Sequence, residues 1–351
     1  MLRSHRCLVF ITAIFTLLSA PLFAGGSPES SLPAQTRSDT HTTPSAPVEG
    51  FPVVIEHKYG TITIPSPPAR VVSVGYSEHD VLLALGIVPV GVRDWYGDQP
   101  YATWPWAQDE LGDGTPQIIG AGELDIEAIV ALAPDLIVGV GSGMTADEYA
   151  LLSRIAPTLA QSAEYLEYGT PWDEETLLIG RALGRDEQAA EIVASLRARM
   201  EQVKTDNPAF IGASGAVAFV FRNERGAFSS QDSRSRILQQ LGFVVPARYD
   251  QIAGDSFYLT ISDELIELLD TDVVVWVSTT ADGPRTIQRL PLRDTMRAYQ
   301  EGREIFLDPL TSAALSFASP LSLSYALDVI VPGLTAAIDG DRSTAVPANL
   351  R

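Results

Sequence analysis

The sequence predicts an α/β fold of two similar lobes with mostly parallel sheets, joined by a long helical spine, with a ligand cleft between the lobes. Three observations support this fold class. A proline-free stretch near the middle of the chain has a strong intrinsic preference for helix. A helix–strand pattern recurs on both sides of that stretch. Strands alternate with helices in the remaining sequence, which is typical of parallel sheets.

The spine is predicted over residues 171–207. Gly184 interrupts it and should end a first helix that begins near Trp172, because glycine readily adopts the left-handed conformation found at helix C-termini. A second helix is predicted from about Asp186 to Thr205. Its apolar residues recur at helical spacing and form one face, while the opposite face carries Glu, Gln and Arg. A helix with this pattern lies against a core with its other side in water.

The repeated pattern consists of a capping residue, a glutamate two positions later, a short apolar helix, an aspartate and a buried strand. Glu127 and Asp135 hold these positions before the spine, and Glu264 and Asp272 hold them after it. The spacing is the same, since 135 − 127 = 8 and 272 − 264 = 8. A second matched pair reads Leu-Leu-Ala-Leu-Gly-Ile-Val-Pro before the spine and Ile-Leu-Gln-Gln-Leu-Gly-Phe-Val-Val-Pro after it. Two matched pairs in one order favour two similar lobes over chance similarity.

Length and charge narrow the function classes. The 351 residues, 46% of them hydrophobic, can bury two cores of ordinary domain size. The formal net charge is −20 and the sequence contains no basic run, so a nucleic-acid partner is not expected.

Residues 1–24 are predicted to be a signal peptide. Arg3 and Arg6 form a basic start, an apolar run from Leu8 to Ala20 follows, and Ala24 opens a cleavage region. An uncleaved membrane anchor is the alternative interpretation. Cys7 is the only cysteine and precedes the apolar run, so it cannot be the lipid-bearing cysteine of a bacterial lipoprotein. The mature protein would then have no disulfide.

The remaining chain divides into four predicted segments. Residues 25–50 are rich in Gly, Ser, Thr and Pro and form a disordered tether. Residues 51–170 form the N-terminal lobe, residues 171–207 the connecting helices and residues 208–351 the C-terminal lobe.

The first lobe is predicted to begin with a hairpin and to continue with alternating strands and helices. Its strands are expected at 53–64 (the hairpin), 70–75, 88–92, 118–119 and 136–140, and its helices at 77–85, around Glu127 and at 148–155. Ser77 to Asp80 has the form of a capping box at the start of the first helix. Residues 93–116 are irregular and aromatic.

The second lobe repeats this order. Its strands are expected at 216–221, 273–277 and 304–307, its helices at 233–241, 265–269, 292–300 and 325–338, and its loops at 222–226 and 279–286. In parallel sheets ligands bind beyond the carboxyl ends of the strands. With two lobes facing one another, those ends predict a cleft.

The sequence offers little for catalysis or for direct metal binding. Outside the signal and the tether it has only two histidines, His57 and His79, and no cysteine, whereas transition-metal sites usually use both residue types. His79 is predicted to be a solvated residue at a helix start. The loop from Gly139 to Gly143 lacks the lysine of a phosphate-binding loop, and we interpret it as a turn that allows close approach to a ligand. We therefore predict no enzyme and no directly bound metal.

Aromatic residues and arginines follow several of the predicted strands. Together they suit a large, planar, anionic ligand, through stacking and charge-assisted hydrogen bonds. Surface ion pairs and loop packing are the alternative for each residue alone. The candidate ligand-binding residues are Tyr76, Arg93, Trp95, Tyr96, Arg222, Arg225 and Arg285.

Several motifs together resemble the iron–siderophore substrate-binding proteins of ABC importers, whose fold is related to that of vitamin B12 binders. They are Pro-Ala-Arg-Val-Val-Ser-Val from Pro68, Leu-Leu-Ala-Leu-Gly-Ile-Val-Pro-Val-Gly-Val from Leu82, Leu-Ala-Pro-Asp-Leu-Ile-Val from Leu132, Ile-Ala-Pro-Thr from Ile155 and Leu-Ser-Tyr-Ala-Leu from Leu323. The resemblance spans residues 51–338.

The resemblance implies an extracytoplasmic, monomeric protein without a cofactor of its own. Such a protein captures a ferric siderophore and delivers it to an ABC permease dimer in the membrane. The chelate class, whether catecholate, hydroxamate or citrate-type, stays open. A cobalamin or haem binder of the same fold is the alternative function, and a nucleotide-dependent α/β enzyme is a more distant one.

The resemblance also implies a role for the repeated glutamates. In the resembled family one such residue on each lobe forms salt bridges with arginines of the permease, and Glu127 and Glu264 occupy those motif positions. The alternative is that an acid in the first turn of a helix only complements the helix dipole. Two similar lobes with equivalent acids would match a two-fold symmetric partner.

Overall fold

The computed structural model describes residues 50–222 and 224–350. The predicted signal peptide, Cys7 and nearly all of the predicted tether lie outside the described residues. The predicted boundaries between lobes and connecting helices stay predictions.

The first lobe contains a five-stranded, fully parallel sheet and a separate antiparallel hairpin. The hairpin strands are β1 (Val53–His57) and β2 (Gly60–Ile64). The sheet strands are β3 (Val71–Ser73), β4 (Gly91–Val92), β5 (Gln117–Ile118), β6 (Leu136–Gly139) and β7 (Thr158–Ala160), in the spatial order β5-β4-β3-β6-β7. The helices are α1 (Glu78–Ala84), α2 (Gln108–Leu111), α3 (Ile126–Ala131) and α4 (Ala146–Leu152).

The spine consists of α5 (Trp172–Ala182) and α6 (Asp186–Asp206). Gly184 separates them with φ +66°, in the left-handed region predicted for it. The predicted apolar face of α6 is buried at Ala189, Val193, Leu196 and Met200. The long helix between the lobes is therefore confirmed.

The second lobe contains a five-stranded sheet in the order β10-β9-β8-β11-β12. Its strands are β8 (Gly215–Phe221), β9 (Glu224–Phe228), β10 (Tyr258–Ile261), β11 (Val273–Val277) and β12 (Glu304–Phe306). The helices are α7 (Ser233–Gln240), α8 (Ala247–Ala253), α9 (Gly283–Gln288), α10 (Arg297–Gln300), α11 (Pro309–Phe317) and α12 (Pro320–Ile338). The strands β8, β11 and β12 are parallel, and β9 and β10 add an antiparallel edge.

Several elements differ from their predictions. The predicted loop after β8 is wrong, because its charged residues belong to the antiparallel strand β9, where Gly226 allows the backbone of Leu259 to approach. The predicted loop 279–286 contains part of α9, and the predicted helix 265–269 is part of a 3₁₀ helix, Asp263–Leu269. The strands β7 and β10 and the helices α2, α8 and α11 were not predicted.

The repeated aspartates have the same role in both lobes. Asp135 accepts hydrogen bonds from the backbone N–H groups of Ala69 and Arg70, both at 2.8 Å, just before β3. Asp272 accepts them from the backbone N–H and the hydroxyl of Ser214, also at 2.8 Å, just before β8. Burial raises the pKa of Asp272, but these bonds and that from Arg297 outweigh burial and lower it to about 2. The repeat thus marks the side chain that anchors the first strand of each sheet.

A buried contact ties α12 of the second lobe to α1 of the first. Asp80 is fully buried, and its Oδ2 accepts hydrogen bonds from Trp106 Nε1 and from Ser319 Oγ, each at 2.7 Å. The prediction of a solvated His79 is wrong, because α1 packs against α12 and the ring is 1% exposed, 5.8 Å from Phe317. The predicted capping box is also wrong, since Ser77 makes no side-chain cap.

The final helix α12 is long and apolar enough to cross a membrane by length and composition alone. Its residues Leu323, Leu327, Ile330 and Leu334 are buried in the core of the second lobe. This burial is typical of the central helix of a globular lobe.

The two links between the lobes predict limited motion. A stiff helix and a buried hydrogen-bonded carboxylate resist wide hinge closure, which needs a few freely rotating backbone positions. Small-angle scattering curves recorded with and without a bound ligand should therefore superimpose within experimental error. A clear decrease of the maximum particle dimension on ligand addition would contradict this architecture.

Candidate functional site

A cavity of about 420 Å³ lies between the lobes. The first lobe contributes Tyr76, Ser77, Trp95, Gly141, Tyr168 and Thr170, the helix α5 contributes Trp172 and Glu175, and the second lobe contributes Phe228, Asp232, Ser233, Arg234, Phe257, Tyr258, Ser316, Phe317 and Ala318. A second cavity of about 980 Å³ adjoins it and shares Trp95, Arg234 and Ser316. Volumes in this range are typical of sites for small organic ligands.

Arg234 is the central charged residue of the cleft. It lies in the first turn of α7 and lines the first cavity, the adjoining one and a third of about 350 Å³. Its guanidinium lies 4.2 Å from the ring centroid of Phe228, its Nη1 lies 2.9 Å from Asp232 Oδ2, and its Nε donates to Ser316 Oγ at 3.1 Å. These contacts hold the guanidinium in one orientation, where it can donate hydrogen bonds to an anionic ligand.

The predicted aromatic residues form one connected wall. The ring of Trp95 lies 5.4 Å from Tyr76, 4.8 Å from Tyr96 and 5.4 Å from Phe317. Tyr76 and Trp95 line the first cavity, whereas Trp95 and Tyr96 line the second. Burial raises the pKa of Tyr96, so its hydroxyl is a neutral hydrogen-bonding group at pH 7. The structure therefore brings all three predicted aromatic residues to the cleft.

Tyr168 extends this wall toward the second lobe. Its ring lies 6.2 Å from that of Tyr76 and 6.4 Å from that of Phe257 across the cavity. A side chain on Gly143 would collide with the Tyr168 ring, so this glycine, with φ +61°, leaves the space that the ring occupies.

Arg93 supports the wall from behind. Its guanidinium stacks on Tyr76 at 4.2 Å, donates to the carbonyl of Val74 at 3.3 Å and also contacts the carbonyl of Gly122. Arg93 is absent from the lining of the three cavities described above. Its contact with ligand stays a prediction, and the structure shows it stacked on Tyr76.

The three other predicted arginines lie away from the lining of these cavities. Arg222 is exposed beside Phe221, at 5.2 Å from its ring, and Arg225 forms an ion pair with Asp263. Arg285 lies on α9 with its side chain 77% exposed and pairs with Asp282 at 3.3 Å. The structure does not bring these three to the aromatic wall, and a role in ligand binding stays a prediction for each.

Buried carboxyl groups form the floor of the cavity. Glu175 lines the cavity and is 9% exposed, and the fully buried Glu78 lies beneath Gly141. Glu78 accepts hydrogen bonds from the backbone N–H groups of Gly141 at 2.7 Å and Ser77 at 3.3 Å. Burial raises the pKa of Glu78, of Asp80 and of Glu175, and the charges of Glu78 and Asp80 raise that of Glu175 further. The N–H of Gly141 is thus directed at a carboxyl group, which disfavours a phosphate at this loop.

These raised pKa values predict how stability depends on pH. A folded-state pKa above the ordinary carboxyl value of 3.8 to 4.5 means that the native protein holds more protons than the unfolded chain. Each such group therefore contributes stability at low pH that is lost as the pH rises through its folded-state pKa. Glu175→Gln removes one of these titrations, so the variant should be more stable than the wild type at pH 7, with a smaller difference at pH 4.

Chemical unfolding at both pH values measures this difference. Glu187→Gln, on the exposed side of α6, makes the same chemical change in water and serves as the control. A Glu175→Gln effect that is equal at pH 4 and pH 7 would contradict a raised pKa.

The repeated glutamates lie on the surface. Glu127 is exposed in the first turn of α3, after Asp125, which accepts a hydrogen bond from the N–H of Ala128 at 3.0 Å. Glu264 is exposed in the 3₁₀ helix, and a hydrogen bond from Ser262 lowers its pKa. Both side chains are therefore available to a partner, and Glu264 carries its charge at neutral pH.

Among the described residues, no group of three or more His, Cys, Asp or Glu side chains could hold a metal ion. Sequence reasoning missed Arg234, Tyr168, Glu175, Ser316 and Phe317. The predicted binding residues were those that directly follow strands, whereas Arg234 and Glu175 lie in the first turns of α7 and α5. A search of helix starts for charged residues would have found both.

Comparison with known proteins supports the fold. The periplasmic binding protein family matches residues 71–310. The probable siderophore-binding lipoprotein YfiY of Bacillus subtilis is 29% identical over 293 residues, which cover 81% of this chain and 82% of that protein.

Two solved structures extend the match. A periplasmic solute binding protein from Mycobacterium smegmatis is 34% identical, with a TM-score of 0.73, and the match covers 82% of this chain and 98% of that one. PiaA of Streptococcus pneumoniae, solved in complex with ferrichrome, is 25% identical with a TM-score of 0.69, over 82% of this chain and 99% of that one. The predicted two-lobed α/β fold is confirmed, and the chain belongs to the periplasmic binding protein family.

Proposed function

We propose that this protein captures a ferric siderophore outside the cytoplasm and delivers it to an ABC permease, without catalysing a reaction. The observation that carries the proposal is an interlobe cavity with a continuous aromatic wall and one oriented guanidinium. A siderophore supplies all the iron ligands itself, so the protein needs only to bind its organic shell and its charge. Aromatic faces and an arginine are suited to both tasks.

The relatives support the same ligand class. YfiY is named a probable siderophore-binding lipoprotein, and PiaA was solved with ferrichrome, a ferric siderophore. A family of substrate-binding proteins also favours a permease partner, export from the cytoplasm and the absence of catalysis. We extend the proposal to an N-terminal signal peptide and to a monomeric binding protein.

Tryptophan fluorescence tests the proposal, because Trp95 and Trp172 both line the cavity. The mature protein would be titrated with ferrichrome, ferrioxamine B, ferric enterobactin, ferric citrate, haem, cobalamin and ATP. We expect saturable quenching by at least one ferric chelate and a smaller signal from the Trp95→Phe variant. Tight binding of only ATP, cobalamin or haem would overturn the proposal.

A further inference from the structure

The cavity contains two buried side-chain oxygens without a partner. Glu175 Oε1 and Thr170 Oγ1 have no hydrogen-bond partner among the described residues, and both residues line the cavity. Buried polar atoms are nearly always hydrogen-bonded, and leaving one without a partner is costly. A pair of such oxygens in the lining of a ligand cavity points to a group that the ligand supplies.

The nearby donors are already used by the other carboxyl groups. The N–H groups of Gly141 and Ser77 are directed at Glu78, and the donors of Trp106 and Ser319 are directed at Asp80. Glu175 Oε1 and Asp80 Oδ1 both lack a hydrogen-bond donor among the described residues, and of these two residues only Glu175 lines the cavity.

The second lobe contributes the cationic side chain of the lining, Arg234, which is paired with the carboxylate of Asp232. Arg234 presents N–H donors, held in place by Asp232 and Ser316. Glu78 and Asp80 lie close enough to Glu175 to act on its charge, so this part of the lining is rich in carboxyl groups. The cavity is therefore polarised, with donors beside Arg234 and acceptors beside Glu175.

We propose that Glu175 and Thr170 bind a protonated amine carried by the siderophore, while the iron-chelating part lies toward Arg234 and the aromatic wall. This inference rests on the proposed function and makes it more specific, because it names the group that distinguishes the preferred siderophore from others. A primary ammonium has three donors, so it can satisfy both oxygens, and its positive charge favours the ionised form of Glu175. A chelate with a carboxylate at this end would be rejected by the same carboxyl groups.

Two ferric hydroxamates provide a matched pair of probes. Ferrioxamine B carries a free terminal ammonium, and N-acetyl ferrioxamine B differs only in that this group is an uncharged acetamide. Affinities would be measured by fluorescence titration at pH 7 for the wild type, Glu175→Gln and Thr170→Val. Ferrichrome, which has no amine, serves as the reference chelate, and thermal unfolding shows whether each variant is folded.

We expect the wild type to bind ferrioxamine B about tenfold or more tightly than its acetylated form, the effect of one hydrogen bond to a charged group. Glu175→Gln should reduce this ratio to near one, because it removes the carboxylate that only the ammonium form can pair with, and Thr170→Val should reduce it in part. Tight binding of ferrichrome or ferric citrate with no preference for the amine would overturn the inference but leave the proposed function intact. A preference that persists in Glu175→Gln would overturn it too, whereas failure to bind any ferric chelate would overturn the proposed function itself.

Discussion

Replacing Arg234 by alanine should weaken the binding of an anionic ferric chelate roughly ten- to 150-fold. The estimate corresponds to about 1.5–3 kcal/mol, the net contribution of hydrogen bonds to a charged group. The loss should be large because Arg234 lines all three adjoining cavities and is held in one orientation by Asp232, Ser316 and Phe228. Fluorescence titration with ferric enterobactin, which is anionic, and with ferrichrome, which is neutral, measures the effect.

Comparison of the two chelates separates charge from shape. Loss of the guanidinium should affect the anionic chelate more than ferrichrome, because only the former carries a net charge to neutralise. Arg234→Lys keeps the charge but not the planar donor geometry and should give an intermediate affinity. Arg248→Ala, on the outer helix α8, makes the same charge change at an exposed position and should leave affinity unchanged.

Equal losses for both chelates would mean that Arg234 supports the shape of the cleft. No loss for either would remove it from the site. Thermal unfolding shows whether Arg234→Ala is folded, because the substitution removes the guanidinium that pairs with Asp232 at the start of α7.

The sequence predicted those features that depend on local rules. Gly184 has a positive φ, as predicted for a glycine that ends a helix. The matched aspartates Asp135 and Asp272 were recognised from their equal spacing to the two glutamates. In the structure each accepts a hydrogen bond from the backbone just before the first strand of its lobe's five-stranded sheet. Such features are set by a few neighbouring residues, so they can be read from one sequence.

The features that were missed depend on contacts between distant segments. His79 looked like a solvated helix start, and nothing in its neighbourhood indicates that α12, about 240 residues later, covers it. Phe317 and Ser316 reach the cleft only because α11 packs beside α7. Arg285 followed a strand as predicted, yet α9 directs it to solvent, where it pairs with Asp282. Position after a strand therefore predicts which edge of a sheet a residue occupies, but not whether its side chain faces the ligand.

Replacing both Glu127 and Glu264 by alanine should abolish uptake of the ferric siderophore in cells while leaving folding and ligand affinity unchanged. Both acids are exposed, one on each lobe, and neither lines the three cavities described above. We propose that they form salt bridges with arginines of the permease dimer, one acid for each subunit. Uptake of iron-labelled siderophore measures the effect, with the level of exported protein determined in parallel.

The alternative for these glutamates is that each only complements a helix dipole, which stabilises a helix by a few tenths to about 1 kcal/mol. That account is weaker for Glu264, because its 3₁₀ helix is short and irregular at Leu265. It predicts a small loss of stability and normal uptake, whereas docking predicts normal stability and no uptake.

Charge reversal separates the two accounts further. Lysines at both positions should impair uptake more than alanines, because they place like charges against the arginines of the permease. The double variant Glu56→Ala/Glu187→Ala removes two other exposed acids and should transport normally, which controls for the change in net charge. Normal uptake by the Glu127→Ala/Glu264→Ala variant would exclude docking and leave the dipole account. Loss of ligand affinity in that variant would instead assign these acids to the cleft, in conflict with their absence from the lining of the three cavities.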